Sequence, residues 1–198
     1  MSNNKHTDIL VIGSGPGGYA AAFRAADLGR EVTLVDKDPT LGGVCLNRGC
    51  IPSKTLLHIS KVLEEAESLK KMGVTFPKPT IDIDLVRDWK NKVVSQLSGG
   101  IGQMAKVRKV NTIQAEATFL SNNEVQLKSE SSTETITFDY CIIASGSSSS
   151  IIPGIPFDNE NVLTSKTALD LKKIPKSLLV IGGGYIGLEM GTVFSALG

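Results

Sequence analysis

The sequence predicts an α/β protein with a parallel sheet, a β-meander, and the first strand and helix of a second, similar unit. An apolar run at its start is followed directly by a glycine-rich turn and an Ala-rich helix. Short runs rich in Thr, Ile and Val follow Val110. The opening pattern of run, turn and helix then recurs at the end of the 198 residues.

The first unit reads as strand, turn, helix and strand. "DILVI", Asp8 to Ile12, has the continuous apolar character of a strand buried in a parallel sheet. The Ala-rich helix after it stops at Gly29, and "EVTLV" is a second strand that ends at Asp36.

Two helical stretches fill the middle of the chain. From Pro52, apolar residues recur every three or four positions and predict an amphipathic helix that stops at Gly73. Residues 78–107 predict a second helical stretch, broken near Gly99 and Gly100. The strands predicted after it are "NTIQAEATFL", "EVQLKS", "ETITF" and "YCIIAS", and "GSSSSIIPGIP" reads as a linker.

The chain contains an internal repeat. Residues Ile9 to Gly29 and Leu178 to Gly198 align without gaps at an offset of 169 residues. The second copy stops where its next strand would begin, and a strand and helix alone lack the neighbours that cover them. We therefore expect a fragment of a longer polypeptide, with one domain over residues 1–150 and a linker and truncated second domain over 151–198.

Each glycine motif has the setting of a phosphate-binding turn. Gly13 makes the tight turn, Gly15 lets backbone amides approach a pyrophosphate, and Gly18 lets the helix pack on the sheet. The helix N-terminus offers partial positive charge, and Asp36 can accept hydrogen bonds from an adenosine ribose. The second copy repeats the motif at Gly182, Gly184 and Gly187. Two such motifs predict two dinucleotides.

Cys45 and Cys50 are separated by four residues and could serve a metal, a structural disulfide or redox chemistry. Zinc requires four ligands, and the other candidates are Cys141, inside an apolar predicted strand, and His6 and His58, in unpatterned places. Cys141 is expected to be a buried core thiol and His6 part of a frayed terminus. A metal site is therefore not predicted.

A bridge between the two neighbouring cysteines requires an irregular segment. In a regular helix, Cα atoms five residues apart are roughly 8.5 Å apart, whereas a disulfide needs less than about 7 Å. Gly49 and Pro52 permit such an irregularity. A disulfide that closes so short a loop contributes little to the stability of the fold. Nearby positive charge, from Arg48, Lys54 and a helix N-terminus, favours the thiolate that exchange chemistry needs. A redox role is favoured.

Overall composition argues against several classes of partner. The formal net charge is +1, and no basic patch or RNA-binding aromatic motif is present. The sequence shows neither a secretory signal nor an apolar run of membrane-spanning length. These features predict a cytoplasmic protein that binds neither nucleic acid nor membrane.

These motifs together resemble the pyridine nucleotide-disulfide oxidoreductases. "GGVCLNRGCIPSK", residues 42–54, lies between "GSGPGG" and "VDKD" before it and "IIASG" and "GGGYIGLE" after it. "CLNRGCIPSK" is most similar to members that oxidise dihydrolipoamide, because glutathione reductases usually have Lys at Ser53 and mercuric reductases usually have Val at Leu46 and Ile51. The resemblance implies a Rossmann-like FAD-binding domain of the glutathione reductase type and the first βα unit of a Rossmann-like NAD-binding domain.

The resemblance implies an FAD site over the first glycine turn. The ribose would lie on Asp36, where many members have Glu, and the backbone of Ala117 would meet the adenine. "IIASGS" would pack under FAD, with Ser145 in place of the usual Thr. The implied FAD-site residues are Gly13, Gly15, Gly18, Asp36, Lys37, Gly42, Gly43, Val44, Cys45, Lys54, Ala117, Ser145 and Gly146.

Catalytic roles are implied in the same way. Cys50 would face the flavin, and Cys45 would be the exposed interchange thiol. Lys54 resembles the lysine near the flavin's reactive edge, and Glu189 resembles its acidic partner in a buried pair that tunes the flavin. The implied NAD-binding residues are Gly182, Gly184, Tyr185, Ile186 and Gly187.

The implied reaction oxidises dihydrolipoamide on lipoyl domains of 2-oxoacid dehydrogenase complexes and passes the electrons through the cysteine pair and FAD to NAD⁺. The family acts as a homodimer, and its histidine base comes from a C-terminal interface domain of the other subunit. His6 and His58 do not match that base, so residues 1–198 alone are expected to lack turnover. The alternatives are another member, such as mercuric or glutathione reductase, or a non-catalytic FAD-binding module.

Overall fold

The computed structural model describes residues 5–198, which form one six-stranded sheet and six α-helices. The strands are β1 (Lys5–Ile12), β2 (Val32–Asp36), β3 (Asn111–Gln114), β4 (Glu116–Ser121), β5 (Glu124–Lys128) and β6 (Thr133–Ile143). The helices are α1 (Pro16–Asp27), α2 (Gly43–Arg48), α3 (Cys50–Ser68), α4 (Ile83–Val107), α5 (Ser165–Leu169) and α6 (Tyr185–Leu197).

The sheet is parallel in one half and antiparallel in the other. Its strand order is β3-β2-β1-β6-β5-β4. β1 pairs in parallel with β2 and β6, and β2 pairs in parallel with β3. β5 pairs antiparallel with β4 and β6 and forms the meander. The predicted α/β fold with a parallel sheet and a β-meander is confirmed.

The chain forms two compact units, and each is assembled from two separate stretches. The first contains residues 5–47 and 96–147, and the second contains 48–95 and 148–198. The predicted division at residue 150 has no such interleaving. Residues 48–95 join the second unit because α3 packs against α6 there.

The sheet of the first unit is covered by apolar clusters. One cluster packs α1 against β1 and β2, with Val11, Ala22 and Leu34 fully buried. The other lies under the meander and includes Leu10 and Val125. Burying each of the larger of these side chains contributes about 1.5–3 kcal/mol, so the parallel strands are held from both faces.

The turn between β1 and α1 brings the backbone of two glycines together. Gly13 has a φ of +99°, and its N–H donates to the carbonyl of Val35 at 2.8 Å. A Cβ on Gly18 would lie 1.7 Å from the carbonyl oxygen of Gly13, and a Cβ on Gly13 would lie 2.2 Å from that of Ala144. Only glycine permits this approach of α1 to the sheet.

The second unit packs α3, α5 and α6 around their own core. Leu56, Leu171 and Val193 are almost completely buried there. The helix α5 begins with a capping box between Thr164 and Thr167. These contacts give this unit an apolar core without a sheet.

A buried lysine donates a hydrogen bond to the C-terminal end of α5. Lys90 in α4 is 6% exposed, and its Nζ donates to the carbonyl of Leu169 at 2.6 Å. Arg87 donates to the carbonyl of Leu171, which has a φ of +49°. The two side chains satisfy carbonyls that the end of a helix leaves without backbone partners.

Four local predictions differ from the structure. "NTIQAEATFL" forms two strands, because β3 pairs with β2 and β4 pairs with β5. "SLLVI", residues 177–181, forms no strand among the described residues, since no neighbouring strand pairs with it there, and Leu179 is 84% exposed. The helix α4 continues through Gly99 and Gly100, because Ile101 and Ala105 after them pack into the first unit's core. "ETITF" and "YCIIAS" join in one strand, β6, which pairs with β1 along the whole length of β1.

Within residues 5–198, none of the helices combines the length and the apolar character needed to cross a membrane.

Substitution of Gly18 tests the close approach of α1. We expect Gly18→Ala to lower the free energy of unfolding by about 3 kcal/mol, because backbone must move to accept the new methyl group. Gly17→Ala is the matched control, since its Cβ would lie 3.9 Å from the nearest atom; it should cost nothing and stabilise by about 0.5 kcal/mol. Urea unfolding measures both, and equal stability of the two variants would contradict the packing described.

Substitution of Lys90 tests how much its buried amine contributes to stability. Burial lowers the pKa of Lys90, partly offset by Asp170 and reinforced by Arg87. Lys90→Met leaves the Leu169 carbonyl without its donor and should lower the free energy of unfolding by about 1–3 kcal/mol.

This deficit should depend on pH. Because the folded pKa lies below 10.5, the unfolded chain binds more protons between the two values, and native stability rises with pH in that window. The deficit of Lys90→Met should therefore widen as the pH rises toward 10.5. Urea unfolding across this range checks it, with the exposed Lys106→Met as control; a deficit that narrows would contradict the sign.

Candidate dinucleotide and redox site

The N-terminus of α1 is open to a ligand. Gly15 is its N-cap, no side chain caps the first turn, and that turn carries no acidic residue. A Cβ on Gly15 would meet nothing within 4 Å. The unsatisfied N–H groups and the helix dipole fit a phosphate group. The residues present therefore fit the pyrophosphate of a dinucleotide.

Asp36 lies at the carboxyl end of β2, next to this turn. Its Oδ2 accepts hydrogen bonds from the backbone N–H and from the hydroxyl of Ser14, both at 2.6 Å. Its Oδ1 accepts from the N–H of Asp38 at 2.9 Å. The carboxylate is thus held in one orientation at the edge of the cradle. Ser14 was absent from the sequence-based set, because a serine between two glycines carries no motif of its own.

The segment before the cysteines is joined to the same turn. The N–H of Gly42 donates to the carbonyl of Ser14 at 2.9 Å. A Cβ on Gly43 would lie 2.6 Å from the Cα of Gly15, so a side chain at Gly43 would collide with the turn. Val44 follows in α2 with its side chain 46% exposed.

The end of β6 closes another side of the turn. The N–H of Ala144 donates to the carbonyl of Ile12 at 2.7 Å, and a Cβ on Gly13 would lie 3.1 Å from the nitrogen of Ser145. Gly146 follows with a φ of +70°. Ser145 thus lies beside the first glycine of the motif.

The remaining predicted FAD-site residues of this unit lie on neighbouring segments. Lys37 is exposed directly after β2, and its carbonyl accepts a hydrogen bond from Gln114. Ala117 lies in β4 and packs against the cluster under the meander. The N–H of Ala115 donates to the carbonyl of Asp36 at 2.9 Å, which ties the start of the meander to the end of β2.

The chain breaks its helical path between the two neighbouring cysteines. α2 ends at Arg48 and α3 begins at Cys50, and Gly49 between them has φ −147° and ψ −109°. The irregular segment that a bridge needs is therefore present. Both cysteines are thiols in this structure.

The exposure of the two thiols does not follow the predicted order. Cys50 is exposed and Cys45 is half-buried, whereas Cys45 was expected to be the exposed interchange thiol. The assignment of one thiol to the substrate and the other to the flavin stays a prediction.

Lys54 and Glu189 form an ion pair within the second unit. Lys54 Nζ lies 3.0 Å from Glu189 Oε1, and the two residues are 135 positions apart in the chain. The pair is not buried as expected, since 63% of the Lys54 side chain and 22% of that of Glu189 are exposed. Lys54 lies one helical turn after Cys50, on the same helix α3.

The second glycine turn repeats the backbone of the first. Gly182 has a φ of +102°, close to that of Gly13, and Gly184 is the N-cap of α6 without a side-chain cap. A Cβ on Gly187 would lie 2.9 Å from the carbonyl oxygen of Gly182. Tyr185 and Ile186 begin α6 with their side chains 74% and 43% exposed. This turn therefore also leaves a helix N-terminus that fits a phosphate.

Other titratable groups lie apart from these turns. Cys141 in β6 is half-buried and not the fully buried core thiol that was expected, and this burial raises the pKa of its thiol. His6, Asp8 and Asp139 place one possible ligand atom each within 4.8 Å of the others. His6 is part of β1, not of a frayed terminus, and its imidazole contacts Thr137. Nothing in the sequence pattern predicts this cluster, because pairing of β1 with β6 creates it.

Known proteins are similar to this chain along all or nearly all of its length. The chain is 49% identical over 198 residues to dihydrolipoyl dehydrogenase of Vibrio parahaemolyticus, and this alignment covers all of the chain and 42% of that protein. It is 50% identical over 192 residues to dihydrolipoyl dehydrogenase of Bacillus subtilis, covering 97% of the chain and 40% of that protein.

A solved structure shares the fold. It is the Cu(II) complex of the HOCl-induced flavoprotein disulfide reductase RclA from Escherichia coli, with a TM-score of 0.82 and 29% identity. The match covers 98% of the chain and 41% of RclA.

The chain thus spans about two fifths of the length of the relatives it matches. The family model for pyridine nucleotide-disulphide oxidoreductases matches residues 7–198. That match covers almost the whole chain, and the chain belongs to the pyridine nucleotide-disulphide oxidoreductase family.

Proposed function

We propose that the protein containing this chain is an FAD-dependent dihydrolipoamide dehydrogenase. It oxidises dihydrolipoamide on the lipoyl domains of 2-oxoacid dehydrogenase complexes, uses Cys45 and Cys50 as its redox couple, and passes electrons to NAD⁺. It acts in the cytoplasm as a homodimer. The chain covers 42% of the Vibrio relative, so this activity is proposed for the whole protein.

The observation that carries this proposal is the helix break between the two cysteines. Gly49 interrupts the helical path, which removes the regular-helix spacing that would keep the two sulfur atoms apart. Cys50 is the first residue of α3, and no side chain caps that helix N-terminus. An exposed thiol at a helix start suits exchange chemistry better than a structural role.

Thiol–disulfide exchange then accounts for the substrate half-reaction. A substrate thiolate attacks one sulfur of the Cys45–Cys50 disulfide, which forms a mixed disulfide and releases the other cysteine as a thiolate. The second substrate thiolate attacks the substrate sulfur of the mixed disulfide and releases the remaining cysteine. The substrate leaves as a cyclic disulfide, and the protein keeps two electrons as a dithiol.

The first glycine turn suits the cofactor of this reaction. Backbone N–H groups at the start of α1 would hold the pyrophosphate, and Asp36 would accept hydrogen bonds from the ribose. Bound FAD would supply a two-electron acceptor for the cysteine dithiol, with NAD⁺ as the final acceptor. The second turn at Gly182 offers a similar helix N-terminus for NAD⁺.

The Lys54–Glu189 ion pair places a positive charge near Cys50. The carboxylate of Glu189 fixes the direction of the Lys54 ammonium, which lies one helical turn from Cys50. A positive charge held there would stabilise the negative charge that develops as the dithiol gives up its electrons. This role needs an oriented lysine and not simply a positive residue.

A substrate comparison tests the proposed function. The protein in its natural length should carry FAD and reduce NAD⁺ with dihydrolipoamide. Oxidised glutathione, Hg(II) and Cu(II), offered with a reduced nicotinamide cofactor, should give turnover at least about tenfold slower. A colourless protein without flavin, or preference for one of the other oxidants, would contradict the proposal.

Substitution of Cys50 should abolish the exchange step. Cys50→Ser should lower kcat for dihydrolipoamide by about 10³-fold or more, since the couple loses one of its sulfur atoms. Steady-state NADH formation by the full-length protein measures this. The matched control is Cys141→Ala, which removes the thiol in β6 and should change kcat less than about twofold; a Cys50→Ser enzyme with wild-type activity would exclude Cys50 from the redox couple.

Substitution of Glu189 should remove the ion pair with Lys54. We expect Glu189→Gln to lower kcat by about two- to fivefold, since a partly exposed ion pair is worth no more than about 1 kcal/mol. KM for dihydrolipoamide should stay unchanged, because the role proposed for the pair is in electron transfer and not in substrate binding. Glu65→Gln, which breaks the exposed Lys61–Glu65 pair on α3, is the control. An unchanged kcat in Glu189→Gln would remove the pair from the mechanism.

A further inference from the structure

Ser14 joins three segments of the first glycine turn. Its side chain is completely buried. Its backbone N–H and its hydroxyl both donate to Asp36 Oδ2 at 2.6 Å, and its carbonyl accepts from the N–H of Gly42 at 2.9 Å. One residue therefore ties the β1–α1 turn to the end of β2 and to the segment before α2.

These bonds determine the orientation of the Asp36 carboxylate. The backbone donor alone holds Oδ2 from one direction, and the hydroxyl adds a second donor to the same oxygen. The N–H of Asp38 donates to Oδ1 at 2.9 Å. Hydrogen bonds to an ionised acceptor are short and strong, and three of them from two sides restrict rotation of the carboxylate plane.

We propose that Ser14 is a positioning residue that orients Asp36 to recognise the free hydroxyl groups of an adenosine ribose. This inference rests on the proposed dinucleotide function and adds its specificity. A carboxylate accepts hydrogen bonds from vicinal hydroxyls only when its plane faces them. A fixed negative charge also repels a ribose that carries a phosphate. The ligand class is therefore an adenosine diphosphate group with unmodified ribose hydroxyls.

The hydroxyl of Ser14 is the part of this arrangement that a substitution can remove cleanly. Ser14→Ala keeps the backbone N–H bond to Oδ2 and the carbonyl bond to Gly42, and loses only the hydroxyl bond. Oδ2 then loses the donor that the hydroxyl supplied, and the carboxylate is held less firmly in its orientation. Recognition of the ribose should weaken, while the contacts of the turn with the pyrophosphate should remain.

The experiment measures binding of ADP and of 2′,3′-dideoxy-ADP to the full-length protein after removal of FAD. Wild type should bind ADP about tenfold more tightly than the dideoxy analogue, since two hydrogen bonds to a charged group are lost. In Ser14→Ala this ratio should fall to about twofold, with affinity for the dideoxy analogue almost unchanged. A structural role for Ser14 would weaken both ligands equally and leave the ratio intact.

Two further variants complete the test. Asp36→Asn should also reduce the ratio to about twofold, because the amide offers only one acceptor oxygen; it answers the question if Ser14→Ala does not fold. The matched control is Ser60→Ala, which removes another buried hydroxyl, one that bonds the carbonyl of Leu56, and should keep the wild-type ratio.

The outcomes separate this inference from the proposed function. If wild type binds neither FAD nor ADP, the dinucleotide function itself fails. If wild type binds ADP but Ser14→Ala keeps the full preference for it over the dideoxy analogue, the positioning role of Ser14 is overturned and the FAD proposal stands. Collapse of the preference in Ser14→Ala and Asp36→Asn, but not in Ser60→Ala, supports it.

Discussion

The first unit depends on one steric constraint, the approach of α1 to the backbone of the turn before it. Gly18 lies so close to the carbonyl of Gly13 that a Cβ would be 1.7 Å from that oxygen. This approach brings the start of α1 over the ends of β1 and β6 and leaves its N–H groups without side-chain partners. Stability and phosphate recognition therefore share a single cause, because the packing that buries α1 also presents its N-terminus.

Around that constraint, polar contacts build the rest of the cradle. Ser14 binds both Asp36 and Gly42, and Ala115 binds the backbone of Asp36. Segments far apart in the chain are thereby fixed against one turn. In the second unit, the ion pair of Lys54 with Glu189 likewise joins residues 135 positions apart, and the apolar core of α3 and α6 holds both helices in place.

Local sequence chemistry accounts for much of the candidate site. Gly49 separates α2 from α3 because it can adopt a backbone conformation outside the helical region. Cys50 and Lys54 are four residues apart and so lie on one face of α3. The repeated glycine spacing predicts two turns of the same shape, and Gly13 and Gly182 indeed have nearly equal positive φ values.

By itself, the sequence determined the fold class, the two glycine turns, the interrupted cysteine segment and the family, because each depends on the conformational range or spacing of neighbouring residues. Only the tertiary structure decided the joining of "ETITF" and "YCIIAS" in β6, the continuity of α4 through Gly99 and Gly100, the burial of Lys90 against Leu169 and the role of Ser14 beside Asp36. Those features arise from strand pairing, core packing and hydrogen bonds between distant segments. Such contacts leave no periodic signal in the chain, since each partner is an ordinary residue until the fold brings the two together.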